Sequence, residues 1–344
     1  MFPTVVTQIE VTVGANIFKD QGSEVLPATG SFKAVPHEYT KEASMALWAA
    51  YVTGRPLLLR GEPGTGKSQI ARAAAHCLRA PLVTCVIDSR TEPQDLRYQY
   101  DAVARLADAQ ALRDSDERGG LSQQNYIIPG PLWWAFNWQT AKQQSDVARV
   151  FTSPPEIPVF EPAADDTNQQ QYSPDHGCVL LLDEIDKADS DVPNGLLESL
   201  GNTGFQVPYI DKPVICGNNL PLVIITTNEE RELPAAFVRR CLVLQLDLPK
   251  DHAVLKQWLQ DRALVHKYAC EDSIVARAAD LLISDRQRAT AAGFTPPGQA
   301  EFLDMLSALS KMAPADTQKQ EEYLVWVSRF ALKKQPDDQN TPEP

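Results

Sequence analysis

The run Gly61-Glu62-Pro63-Gly64-Thr65-Gly66-Lys67-Ser68, placed directly behind the apolar stretch Pro56-Leu57-Leu58-Leu59, leaves this chain few ways to fold. An apolar strand has to feed a glycine-rich loop, and Lys67-Ser68 then opens a helix. Glycines let successive backbone N–H groups converge on one point, and the helix directs its positive end at the same point. Such a loop cradles phosphate: Lys67 reaches the β- and γ-phosphates of a nucleoside triphosphate, and the Ser68 hydroxyl ligates Mg²⁺. Without the strand and the helix the glycines would signify only a tight surface turn. Here the strand, loop and helix of a P-loop stand in order.

Further apolar runs extend the pattern. Strand 57–60 leads through the loop into a helix over 68–79, and buried strands are predicted at Leu82–Ile87, Cys178–Leu182, Leu222–Thr226 and Leu242–Leu246. Apolar runs alternating with helices indicate a parallel sheet covered on both faces. The fold class is therefore α/β, a P-loop three-layer αβα core with a parallel five-stranded sheet, followed by a small C-terminal helical lid domain. The lid is read from apolar stripes beyond Pro249: Val254, Leu255, Trp258 and Leu259; Ile274, Val275, Ala278, Leu281 and Leu282; Phe302, Leu303, Leu306 and Leu309; and a last helix from Leu324 to Leu332. Tyr39, Ala43, Leu47 and Tyr51 predict a helix over 37–53, ended by Gly54.

The expected division is an extension over 1–36, with a short strand at Ile9, Val11 and Val13, a core over 37–248, a lid over 249–334 and a polar, disordered tail over 335–344. Lys67 and Asp183 lie 116 positions apart, more than one βαβ excursion needs, so an insert is expected at about 94–176. Its first part, Gln94 to Ala111, reads as helical. Residues 151–176 carry Pro154, Pro155, Pro158, Pro162 and Pro174, five acidic residues and no Lys or Arg, and read as an exposed loop that either docks a basic client or is simply solvated.

Composition narrows the function classes. A net charge of −13 over 344 residues, with no dense basic run, argues against a large nucleic-acid-binding face. Met1-Phe2-Pro3-Thr4 lacks the marks of a secretory signal, and no stretch reaches the length of a membrane span. The six cysteines form no CxxC pair and read as reduced residues of a cytoplasmic protein. Neither they nor the five histidines have the spacing of a zinc site.

Three polar strand ends carry candidate chemistry. Val179-Leu180-Leu181-Leu182 ends in Asp183-Glu184, where Asp183 holds Mg²⁺ and Glu184 polarises the attacking water, unless the pair caps a following helix. Val223-Ile224-Ile225-Thr226-Thr227 ends in Asn228, which either bonds the γ-phosphate and orients the water or starts a turn. Arg239-Arg240 precede the fifth strand as an arginine finger for a neighbouring subunit or as a solvated pair. Trp133, Trp134, Phe136 and Trp138 form an aromatic group read as sheet packing or as a partner-facing patch.

Taken together, GEPGTGKS, PGPLWWAF, LLLDEIDKA, LLESL, TTN and ELPAAFVRRC resemble the AAA+ ATPases, and within them the MoxR-like branch of the helix-2-insert clade, over roughly 36–310. The resemblance implies Walker A at Lys67 and Ser68, with Gly61, Glu62, Pro63, Gly64, Thr65, Gly66 and Gln69 around the nucleotide. It implies Walker B at Asp183 and Glu184, sensor 1 at Asn228, and the finger at Arg240. Arg239 stands where many MoxR-like proteins have an acidic residue, so either arginine fits the finger. Gly204 to Asn219 looks like the hairpin that precedes sensor 1. Two departures stand out. Gln299 occupies the expected sensor 2 arginine position, with Arg286 and Arg288 upstream as substitutes, and 151–176 is extra to the usual insert.

By that likeness the expected function is Mg²⁺-dependent ATP hydrolysis by a ring, hexameric in form, that remodels a protein client as a chaperone does. MoxR-like proteins often work with von Willebrand factor A domain partners. ATP rather than GTP follows from the resemblance alone. The alternatives are a nucleotide-dependent switch or scaffold in a stress or defence system, and a nucleic-acid-associated NTPase motor.

Overall fold

A computed structural model describes residues 16–28, 32–111, 122–148, 172–217 and 219–332. The expected strand at Ile9–Val13, most of the acidic loop and the tail over 335–344 lie outside the described residues.

The first elements are β1 (Ser23–Leu26) and β2 (Val35–Glu38), an antiparallel pair, followed by α1 (Lys41–Thr53). The helix predicted from residue 37 thus begins four residues later. Thr40 caps it, accepting from the Ala43 amide at 3.3 Å, and the hydrogen bond from Tyr39 N to Gly22 O at 2.9 Å keeps the preceding residues extended. Gly54 ends α1 as expected, in the left-handed conformation at φ 62°.

Next come β3 (Leu57–Arg60), α2 (Lys67–Leu78) and β4 (Leu82–Val86). Then follow β5 (Tyr98–Tyr100), α3 (Ala102–Ala111), β6 (Ile127–Pro129), α4 (Pro131–Phe136) and α5 (Trp138–Val147). Gln94–Ala111 is therefore not one helix: Tyr98–Tyr100 pair antiparallel with Ile127–Pro129, and helix starts only at Ala102. β7 (Val179–Asp183), α6 (Asp191–Gly201), the small hairpin β8 (Gly204–Phe205) and β9 (Val214–Ile215), β10 (Leu222–Thr227), α7 (Ala235–Val238) and β11 (Leu242–Gln245) complete this part. The lid contains α8 (His252–His266), α9 (Asp272–Ala291), α10 (Gln299–Met312) and α11 (Thr317–Leu332).

The central sheet has the order β11-β3-β10-β7-β4, all parallel. Its strands read as unbroken apolar runs because alternate residues serve two cores. Leu58, Leu180, Leu182, Val223 and Ile225 pack with Trp133, Trp134, Phe136, Leu196 and Phe237 on one face. Leu57, Leu59, Leu181, Leu222 and Ile224 pack with Leu47, Ala50, Ile70 and Ala74 on the other. The tryptophan group thus belongs to the core, with Trp133 Nε1 donating to Thr140 Oγ1 at 3.0 Å and Trp134 edge-on to Trp138. A separate core of Leu255, Leu259, Leu282, Phe302, Leu306 and Leu324 holds the lid. Among the described residues no helix is long and apolar enough to cross a membrane.

Candidate functional site

Parallel strands deliver their polar ends to one edge of the sheet, and the loop after β3 curls over that edge. Its backbone needs glycine. Gly61 sits at φ 142°, where a Cβ would lie 2.3 Å from the Leu246 carbonyl oxygen, and Gly64 and Gly66 lie at φ 77° and 89°. Thr65 Oγ1 donates to Glu62 O at 2.9 Å and tightens the turn. Lys67 is buried, its Nζ donating to Gly61 O at 2.7 Å and Glu62 O at 2.9 Å. Burial pushes the Lys67 pKa down, opposed by the nearby carboxylates Asp183, Asp186, Glu184 and Glu229. The ammonium is thus held inside the loop that its charge serves.

Directly beneath, Ser68 Oγ donates to the Asp183 carboxylate at 3.1 and 3.2 Å. Thr226 Oγ1 donates to Asp183 Oδ1 at 2.5 Å and accepts from Glu184 N at 2.9 Å. Glu184 is left-handed at φ 62°, which turns its side chain out of the strand line. Its carboxylate takes Asn228 Nδ2 at 3.1 Å on one oxygen and Lys187 Nζ at 2.5 Å on the other. Asp186, buried, accepts from Glu230 N at 2.9 Å and so fixes the turn behind Asn228. Thr226, Lys187 and Asp186 escaped the sequence reading. The alternation and register of β10 were the available signal for Thr226, since pairing Ile225 with Leu182 sets Thr226 beside Asp183.

The Ser68 hydroxyl and the Asp183 carboxylate form a hard oxygen pair, which suits Mg²⁺ with further oxygens from phosphate and water. Among the described residues no cluster of three His, Cys, Asp or Glu side chains is arranged to hold a metal by itself.

The lid closes on the loop at three points. Arg286 Nη2 pairs with Glu62 at 2.9 Å while its Nη1 donates to Pro297 O at 2.6 Å. A Cβ on Gly64 would meet Ala300 at 2.9 Å, and one on Gly298 would meet Pro63 O at 3.2 Å. Arg288 turns away to Asp285 and Ser284, so of the two upstream arginines only Arg286 touches the loop. Gln299 lines a cavity of about 200 Å³ bounded also by His37, Gly66, Gln69, Trp258 and Arg262. Burial and the Arg262 charge push the His37 pKa down to about 4, so its imidazole is neutral at pH 7.

Arg239 and Arg240 follow α7 on the surface, and among the described residues neither side chain has a hydrogen bond or ion pair. The structure therefore gathers Lys67, Ser68, Asp183, Glu184 and Asn228, and leaves the two arginines at a separate, exposed turn.

Residues 56–263 match the family model described as AAA domain (dynein-related subfamily). The chain belongs to this family. It is thus a P-loop AAA protein of the nucleotide-binding ATPase type. No curated protein matches the AAA chain. Among solved structures, the RuvB Holliday junction branch migration motor of Thermotoga maritima aligns over 88% of this chain and 70% of its own, at 18% identity and TM-score 0.41. A point mutant of the same RuvB aligns over 88% and 71%, at 18% identity and TM-score 0.42.

Proposed function

We propose that this AAA protein is a Mg²⁺-dependent ATPase of the MoxR-like branch, acting as a hexameric ring that remodels a protein partner in the cytoplasm. The observation that carries the reading is the linked set Ser68–Asp183–Thr226–Glu184–Asn228 beside the buried Lys67. In this reading residues 37–248 form the core, with an insert over about 94–176, and 249–334 form the lid.

The amides of Gly64, Gly66 and the start of α2 bind the phosphates, with Lys67 on the β- and γ-phosphates. Ser68 and Asp183 would hold Mg²⁺, which would supply neutralisation of phosphate charge. Glu184 accepts a proton from the attacking water, and Asn228 orients Glu184 and that water. Lys187 competes for Glu184 before the water is positioned. Arg240, or Arg239 in its place, reaches a neighbour's γ-phosphate. Arg286, through Glu62, ties the lid to the loop, so a change at the phosphates alters the core–lid angle and moves the insert against the client. The cavity beside His37 and Gln69 takes the base. A von Willebrand factor A domain protein is the client type proposed.

The test is ATP turnover and ATP binding for the wild type and Glu184→Gln, with and without a chelator. Turnover that needs the metal and is lost in a variant that still binds ATP supports the reading. ATP bound but not hydrolysed by the wild type, alone or with partner, gives the switch reading, to which Gln299 in place of a sensor 2 arginine lends support.

A further inference from the structure

We infer that Arg55 is a positioning residue for the arginine finger: it holds the turn that carries Arg239 and Arg240, and thereby serves the neighbouring subunit's nucleotide. The inference rests on the trans-finger reading above. α7 is only four residues long, and the last carbonyls of a helix have no partner within it. The amides of the turn after it are satisfied locally, Arg239 N on Ala235 O at 3.1 Å, Arg240 N on Phe237 O at 3.0 Å and Cys241 N on Val238 O at 3.1 Å. The three following carbonyls are not. Arg55 collects all of them: Nη2 donates to Arg239 O at 2.7 Å and Cys241 O at 3.1 Å, and Nε donates to Arg240 O at 3.2 Å.

One planar guanidinium with a fixed fork of donors can bridge three carbonyls, which a lysine ammonium on its flexible stem cannot do with the same rigidity. Arg55 is itself tied in place. It follows the Gly54 cap of α1 and precedes Pro56, whose carbonyl accepts from Leu242 N at 2.8 Å. The start of the interior strand β3 and the finger turn are thus joined across more than 180 positions of sequence. The finger side chains have no anchor of their own among the described residues. Where an exposed guanidinium points is then decided by its backbone, and the Arg55 bonds define that backbone.

A cap of this kind also adds stability, so the test must separate placement from folding. Arg55→Ala is expected to lower turnover per subunit about 10- to 100-fold, the effect of a misplaced group, while affinity for a fluorescent ATP analogue stays unchanged. Arg55→Lys, which keeps the charge and stem but loses the fork, is expected to fall between this variant and the wild type. The deciding experiment mixes Arg55→Ala subunits with Glu184→Gln subunits, which have an intact finger and no hydrolysis of their own. Arg240→Ala mixed with Glu184→Gln is run in parallel. Recovery of turnover in both mixtures is the expected result. Recovery with Arg240→Ala but not with Arg55→Ala would overturn the role of Arg55 and leave the trans finger standing. Arg239→Ala is tested in the same way, and failure of both arginine mixtures, or wild-type turnover by Arg239→Ala and by Arg240→Ala alone, would remove the trans finger and this inference with it. Loss of analogue binding by both Arg55 variants would reduce Arg55 to a folding residue.

Discussion

In the half of the site built within one chain, Ser68, Asp183, Thr226, Glu184, Asn228 and Lys187 are joined side chain to side chain or through the Glu184 amide, whereas at the turn of Arg239 and Arg240 only the backbone is held. The first half is preorganised in position: its side chains are already gathered, and nucleotide has only to replace the present partners of Lys67, Ser68 and Glu184. The second half is fixed in position but not in side-chain direction, which suits groups whose partner belongs to another molecule. In the proposed function the difference separates a binding apparatus from a contact that depends on assembly, and substitutions can separate them too.

The largest effect is expected in the preorganised half. Lys67→Ala should abolish turnover and weaken nucleotide binding about 100-fold, measured by titration with a fluorescent analogue. At the finger turn Arg240→Ala should cut turnover about 1000-fold with affinity unchanged. If Arg239 is the finger, the same split appears in Arg239→Ala instead. A variant of either arginine that lost affinity as strongly as Lys67→Ala would break the distinction.

The remaining predictions sharpen it. Gly61→Ala forces a side chain against the Leu246 carbonyl at a φ of 142° and should destabilise the fold by about 2–4 kcal/mol in denaturant unfolding. Arg286→Ala and Glu62→Gln should each weaken nucleotide binding about tenfold, and the double variant no more than either alone, because both remove one lid–loop link. The smallest effect concerns acid. With its folded pKa near 4 against an ordinary 6.5, His37 takes up a proton more readily unfolded, so stability present at pH 7 falls as pH drops through that window. Melting of the wild type should lose about 1 kcal/mol by pH 5.5 through this group, a loss that His37→Gln should not show. Besides Arg262, the charged groups acting on His37 are Glu24 and Arg72.

The P-loop, the five strands and the polar strand ends were legible because glycine spacing and unbroken apolar runs are local properties of the chain. Gly54 was legible for the same reason. What sequence could not give depended on register or on distant partners. Tyr39 falls in a helical stripe by spacing, yet it hydrogen-bonds Glu24 and precedes the cap at Thr40. Tyr98 and Tyr100 read as helical because their strand partner lies beyond α3. Thr226 needed the pairing of β10 with β7 to appear beside Asp183. Arg55 gave no signal at all, since its acceptors are backbone carbonyls far along the chain. The choice between Arg286 and Arg288 needed the contact with Glu62.

The most direct test of the two-half site is ATP turnover per subunit across a wide range of protein concentration, with Glu184→Gln as the inactive control. Activity per subunit is expected to rise steeply with concentration as neighbours supply Arg240, with no activity in the control. Turnover per subunit that is the same at every concentration, from a protein that remains monomeric, would contradict it.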